Sequence, residues 1–459
     1  MLRRLLLGQQ GAGPTQNMDN CRPAWYRIAT SPWPWIFALA LALRLAFFRT
    51  LLEYVGPERL TSLSTDMTGY YYAAQSIYGN LSWSSPAIMM FGPGYPTIIA
   101  VLSLPFGQNP SSIIIGQIIL GSVGSALQGY LGFLLTDNRR IGIITGLLSS
   151  CSVLSIAYAS FLWSETVFVL MLQVALILLI KARSQTSIWP IVISGFLLGV
   201  AVLTRSVAQI LPLLLAGWAY WWYRIADSSS GWFRRRAMIR VLIISLIPVM
   251  MAGGWTMHNK SCCQVNWLAM AGPVGMGKAV RLITSHTEGI SYEQADSVFW
   301  NQVTSHKDFS SNNYRVIGEV ASSQFLKTAL NHPLATIYVL GKNAIHNVTV
   351  DSTPTHLPTR SHGILKVIAD VTSIRWLNLR TLVLAIIGLT ILLARRRFAA
   401  SVLMGGICLY FGIMSAFALN QGSRIFFPAH IASSVLVAVV LNEIFDRTRH
   451  LIRRNNHSD

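Results

Sequence analysis

"GPGYPTIIAVLSLPFG", residues 92–107, decides how this chain is threaded. The stretch is apolar, but it falls short of the ~20 residues that cross a bilayer. Pro93, Pro96 and Pro105 interrupt it. If it crosses, "TDNRR" (136–140) and every later basic loop lie opposite the basic N-terminal stretch. If it only dips into the interface, "TDNRR", "KARSQ" (181–185), "RIADSSSGWFRRR" (224–236) and "RRR" (395–397) share one side with that stretch. Short basic loops gather on the cytoplasmic side of a membrane. The charge pattern therefore selects the interfacial reading and leaves residues 53–110 as the first outer loop.

Composition supports a membrane chain. Of 459 residues, 53% are hydrophobic and 12% charged, about half the ~25% charged content of soluble domains. The net charge of +19 comes from arginines and lysines placed between apolar runs. A nucleic-acid binder gathers them on one polar face, so nucleic acid is excluded as a partner. The five cysteines show no metal spacing. The expected fold is an all-α polytopic membrane protein with about ten spans. These lie near 33–52, 111–135, 141–160, 164–181, 188–204, 206–224, 237–257, 377–394, 398–418 and 424–442.

The expected organisation has five parts: a cytoplasmic tail (1–32), a transmembrane core (33–257), an outer loop domain (258–375), C-terminal spans (376–443) and a cytoplasmic tail (444–459). Within the loop domain, "NHPLATIYVLGKNAIHNV" (331–348) carries apolar residues at helical spacing with Lys342 and His346 between them. That pattern reads as an interfacial helix.

Charged residues at membrane depth are costly unless they serve a purpose. Four of them converge on the outer face in this threading: Asp66 in "STDMTGYYY", Glu165 in "SFLWSETVF", Arg205 in "AVLTRSVAQ" and Arg424 in "LNQGSRIFFPAH". A carboxylate at a partly dehydrated site suits a general base. Arginine offers planar donors that match phosphate. Asp66 also reads as a helix cap, since Ser, Thr and Asp favour that position. "AGPVGMGKAV" (271–280) approaches a P-loop, but Ala279 stands where Ser or Thr must hold magnesium. A Gly-rich turn that offers backbone N–H groups to a phosphate remains open.

The order of "TDMTGYYYAAQSI", "PGYPTIIA", "SSCSVLSIAYASFLWSE", "GFLLGVAVLTRS", "AGPVGMGKA", "NHPLATIYVLGKNA" and "SRIFFPAHIASSVLV" resembles the GT-C membrane glycosyltransferases. The resemblance is greatest to bacterial relatives of protein O-mannosyltransferases and lipid A aminoarabinose transferases, and it covers residues 33–442. It implies a GT-C-like bundle that takes a sugar from a polyprenyl-phosphate donor at the outer face of a bacterial plasma membrane. The acceptor class stays open among lipid, glycan and protein hydroxyls. The resemblance assigns catalysis to Asp66, as base, and to Glu165. It assigns the donor phosphate to Arg205, Arg424 and Lys278. Tyr70, Tyr71, Tyr95, His258 and Asn259 are expected to line the substrate. Relatives read Trp-x-x-Arg-Asn where this chain has Trp255 to Asn259, with His258 in place of the arginine. No second acid stands two residues from Asp66, so no metal cofactor is indicated. Two alternatives share the same features: a transporter of polyprenyl-linked glycans, and a polysaccharide polymerase or ligase.

Overall fold

The computed structural model describes residues 31–226, 231–306, 308–309, 314–350, 375–417 and 423–455. Among them the regular structure is helical, with no strand. The first half holds α1 (Trp33–Val55), α2 (Thr65–Asn80), α3 (Pro86–Phe91), α4 (Gly94–Phe106), α5 (Pro110–Thr136), α6 (Arg139–Cys151), α7 (Val153–Ala159), α8 (Glu165–Ala182), α9 (Trp189–Thr204) and α10 (Leu211–Ala226). Next come α11 (Gly231–Cys263), α12 (Ala271–Glu288), α13 (Tyr292–Thr304), α14 (Tyr314–Asn331) and α15 (Pro333–Thr349). The chain closes with α16 (Arg375–Ala394), α17 (Phe398–Ser415), α18 (Ser423–Phe426) and α19 (His430–Asn455).

Among the described residues, six stretches are long and apolar enough to cross a membrane: Trp33–Val55, Pro110–Thr136, Glu165–Ala182, Arg235–Cys263, Phe398–Ser415 and Arg424–Arg453. The chain is an integral membrane protein. A seventh span is available if α6 and α7, bent by 55° at their junction, count as one. Ser152 makes that break: its backbone is extended and its hydroxyl caps α7 by accepting from Ser155 N–H. The expected ten spans thus reduce to six or seven by length and composition. The difference lies mainly in the shorter helices α9, α10 and α16, whose described apolar part begins at Leu379. Of the expected tails at 1–32 and 444–459, residues 1–30 and 456–459 lie outside the described residues, as do 351–374 of the expected outer loop domain, and α19 runs on through 444–455.

The opening stretch forms α4, a helix of 13 residues and so too short to span. It packs against α2, α5 and α9. Its glycines explain how close that packing is. Gly92 has φ +94°, and a Cβ there would stand 2.5 Å from the Leu203 carbonyl oxygen. A Cβ on Gly94 would stand 2.5 Å from Thr204 N and Oγ1. Only glycine lets this turn seat itself on the last residues of α9. Arg205 follows there at once, in extended conformation.

Two large apolar clusters hold the bundle. One joins α5, α8, α9, α10, α17 and α19. The other joins α1, α2, α4, α5 and the 156–163 segment, and includes Phe427. Residues 271–349 form four helices. α12, α13 and α14 share a small core of Val280, Phe299, Val303, Val316 and Ala321. α15 packs on α12 and α17. It is tied there by Asn343 and Asn347, which donate to the carbonyls of Ala416 and Ser415 at 2.7 and 2.8 Å. The polar side of α15 therefore faces inward. Its apolar side is open, with Leu334 82% and Ile337 70% exposed.

Candidate active site

Asp66, Glu165, Arg205 and Arg424 come from four distant parts of the chain and form one ion-pair cluster. Arg424 Nη1 lies 2.5 Å from Asp66 Oδ2. Arg424 Nε donates to Glu165 Oε1. Arg205 Nη1 lies 2.5 Å from the same Oε1 and donates to Ser164 Oγ at 3.3 Å. Two acids and two arginines at one depth is the arrangement that the interfacial reading of 92–107 requires.

Local sequence explains each position. Ser64 caps α2, its hydroxyl accepting from Met67 N–H at 3.3 Å. Asp66 sits in the first turn of that helix, so it is not the cap, and its carboxylate is available to Arg424. Trp163 Nε1 also donates to Ser64 Oγ, at 3.2 Å, which ties α2 to the segment that leads into α8. Glu165 is the first residue of α8, where the helix dipole favours a negative charge. The Arg424 guanidinium carbon lies 4.3 Å from the centre of the Trp163 ring, a cation–π contact strengthened by burial.

Behind this front stands Gln117. Its amide nitrogen donates to the carbonyls of Tyr158, Ala159 and Phe161, and its oxygen accepts from Tyr95 O–H at 2.5 Å. A buried amide thus braces the bends between α7 and α8, where the Phe161 carbonyl also accepts from Trp163 N–H at 2.7 Å. Sequence reasoning missed Gln117, Trp163, Ser164 and Ser64. Gln117 carried a usable signal: an amide in the middle of an apolar span needs a buried partner.

Accessibility sorts the cluster. Glu165 side-chain exposure is 0%, and its Oε2 has no hydrogen-bond partner. The Asp66 side chain is 25% exposed. Asp66 is thus the carboxylate open to solvent, and Glu165 is enclosed by the arginines it pairs with. Each guanidinium carries five N–H donors, and the ion pairs engage only Nε and Nη1 of Arg424 and Nη1 of Arg205. The Nη2 groups have no partner among the described residues.

The remaining expected site residues divide. Lys278 lies on α12, half-buried. Burial and then Arg281 lower its pKa from the ordinary lysine value, and Asp66 opposes them. Tyr70 is almost enclosed, edge-on to Tyr95 with ring centres 4.7 Å apart. Burial pushes its phenol up to about 12, so it stays protonated. Tyr71 is half-buried and donates to the Gln108 carbonyl at 3.2 Å.

Three expectations are corrected. Tyr95 is fully buried against Gln117 and has no surface to offer a substrate. Asn259 is 1% exposed; its amide nitrogen donates to the Trp267 and Leu268 carbonyls, while Oδ1 has no hydrogen-bond partner among the described residues. "AGPVGMGKAV" is not a phosphate-binding turn but the first turns of α12. Its glycines serve packing instead: Gly277 faces Phe299 and Ala321. His258 stacks on Trp255 with ring centres 4.8 Å apart. Among the described residues, no three His, Cys, Asp or Glu side chains are grouped as a metal site.

No family model matches the chain, and no curated protein matches it. Solved structures do. One is the archaeal oligosaccharyltransferase AglB from Archaeoglobus fulgidus, in complex with an inhibitory peptide and a dolichol-phosphate. It is 12% identical, with a TM-score of 0.45 over 93% of this chain and 52% of that one. The chain thus spans about half the length of the archaeal enzyme. ArnT from Cupriavidus metallidurans is similar in two states, at 13% identity. The apo form gives a TM-score of 0.34 over 86% of this chain and 76% of that one. The form bound to undecaprenyl phosphate gives 0.36 over 84% and 77%.

Proposed function

We propose that the cluster transfers a sugar from a polyprenyl-phosphate donor to an acceptor hydroxyl, with the site on the outer face of the membrane. One observation carries this reading. A reachable carboxylate, Asp66, stands beside buried Arg424 and partly buried Arg205, whose Nη2 groups have no partner among the described residues. Asp66 takes the proton of the acceptor hydroxyl while that oxygen attacks the anomeric carbon. The bond from that carbon to the phosphate oxygen breaks, and the polyprenyl phosphate leaves with the bonding pair. Arg205 and Arg424 meet the charge that develops on the leaving phosphate, with Lys278 at the edge. Preorganised cations in a water-poor site contribute most to such a step. Glu165 is a positioning residue: it keeps both guanidiniums turned toward one point. A single displacement inverts the anomeric carbon.

The test is Asp66→Asn in purified protein reconstituted with a sugar-loaded polyprenyl monophosphate. Transfer is expected to fall by at least ~100-fold, the scale of a lost general base, with membrane insertion and thermal unfolding close to wild type. Wild-type transfer by Asp66→Asn would remove the base from the mechanism.

A further inference from the structure

A second polar site lies apart from the ion-pair cluster. Between α12 and α15 runs a cleft of about 590 Å³. α15 contributes Tyr338, Lys342 and His346, spaced by four and so stacked along one face. α12 contributes Ser285 and His286. The His286 ring stacks on Tyr338, centres 4.9 Å apart, joining the two walls. No carboxylate lines the cleft. Other cations nearby are already matched, Arg281 by Asp296 and Arg315 by Asp308. Among the described residues, Lys342, His286 and His346 take part in no ion pair.

Two features give the cleft a place in the reaction. Along α12, Lys278, Leu282 and Ser285 follow at intervals of four and three, a single stripe on one face. Seven residues of helix separate Lys278 from Ser285, about 10 Å at 1.5 Å per residue. α12 packs against the turn at 206–208 that directly follows Arg205. The stripe thus leads from the edge of the candidate active site into the cleft. On the other wall, α15 turns Leu334, Ile337 and Ile345 outward. An amphipathic helix with an open apolar face lies at the headgroup boundary of a membrane. A cationic cleft beside it sits where lipid phosphates are.

We propose that this cleft binds a phosphate group carried by the acceptor, so that the enzyme selects phosphate-bearing acceptors. The inference rests on the sugar-transfer reading for its place in the reaction, but phosphate binding is measurable without transfer. Lys342 supplies the fixed charge. Tyr338 supplies a neutral donor, as do the N–H groups of the two imidazoles.

The test is equilibrium binding to the purified full-length protein in detergent. The probes are short-chain phosphatidic acid, diacylglycerol with the same chains, and inorganic pyrophosphate. Phosphatidic acid is expected to bind at least tenfold more tightly than diacylglycerol, and Lys342→Gln with His346→Gln to remove that preference. Lys342 is exposed, His346 is half-buried and neither takes part in an ion pair among the described residues, so the double variant is expected to unfold close to wild type. Lys327→Gln, an exposed lysine on α14, is expected to change nothing. Tight phosphatidic acid binding assigns the phosphate to a lipid headgroup. Pyrophosphate binding without a lipid preference, lost in the double variant, assigns it to a soluble carrier. The proposal is overturned if no probe binds, if the double variant binds like wild type, or if Lys327→Gln loses as much. Asp66→Asn is expected to bind phosphatidic acid normally. Phosphate binding in the cleft without any sugar transfer by wild type would sink the transfer reading alone. Transfer without phosphate binding would sink the cleft alone.

Discussion

Replacing Gly94 by alanine places a methyl group against the end of α9. That carbon would stand 2.5 Å from Thr204 N and Oγ1 and 2.7 Å from the Leu203 carbonyl carbon. Carbon contacts settle near ~3.5–4 Å, so α4 and α9 must part by roughly 1 Å. Two of the three neighbours are backbone atoms, which cannot swing aside as a side-chain tip can. Arg205 is the next residue, and the movement passes to its guanidinium and to the Glu165 oxygen it shares with Arg424. A ~1 Å misplacement at a reacting centre costs about 100-fold in rate. Stability responds less. Overpacking costs about 1–3 kcal/mol, and alanine returns at most about 1 kcal/mol of helix preference. The expected result is transfer reduced ~100-fold with at most about 2 kcal/mol of stability lost. Gly79→Ala, on α2, is the control, because its Cβ would meet nothing within 4 Å. Transfer rates and thermal unfolding of the three proteins decide the matter. A Gly94→Ala enzyme that works at the wild-type rate would refute the claim that this glycine turn sets the position of Arg205.

Glu165→Gln leaves two buried guanidiniums facing one carboxylate, and breaking such a pair costs about 3–5 kcal/mol. The Glu165→Gln, Arg205→Gln double variant is expected to recover part of that loss in denaturant unfolding; strictly additive losses would contradict the shared pairing. Gln117→Leu removes the acceptor of the Tyr95 hydroxyl and a donor to the Tyr158, Ala159 and Phe161 carbonyls, at about 1–3 kcal/mol for a buried group left unsatisfied. Stability and transfer are expected to fall together, although Gln117 touches no substrate. Retention of both would show that the 158–163 segment holds itself.

The four charged residues were legible because a chain so poor in charge makes each one conspicuous. The basic loops then set their common side. What paired with what was not legible. Asp66 and Arg424 are separated by 358 positions, and no local pattern links them. Tyr95 was misread because an aromatic residue near an interface looks the same whether it stacks on a sugar or fills a core. Its hydrogen bond to Gln117 decides, and that is a tertiary fact. The span near 141–160 was drawn as continuous because hydropathy does not register a capping serine. The Gly-rich run at 271–280 looked like a loop because glycine weakens a helix in isolation. Here close approach to Phe299 and Phe417 outweighs that preference.

The most direct measurement follows both products of one turnover. The protein is reconstituted in vesicles with a polyprenyl monophosphate bearing a labelled sugar, together with a hydroxyl acceptor. The account predicts free polyprenyl phosphate equal in amount to glycosylated acceptor, with the anomeric configuration inverted. Intact donor delivered to the opposite leaflet, without release of polyprenyl phosphate, would contradict it and make the molecule a transporter.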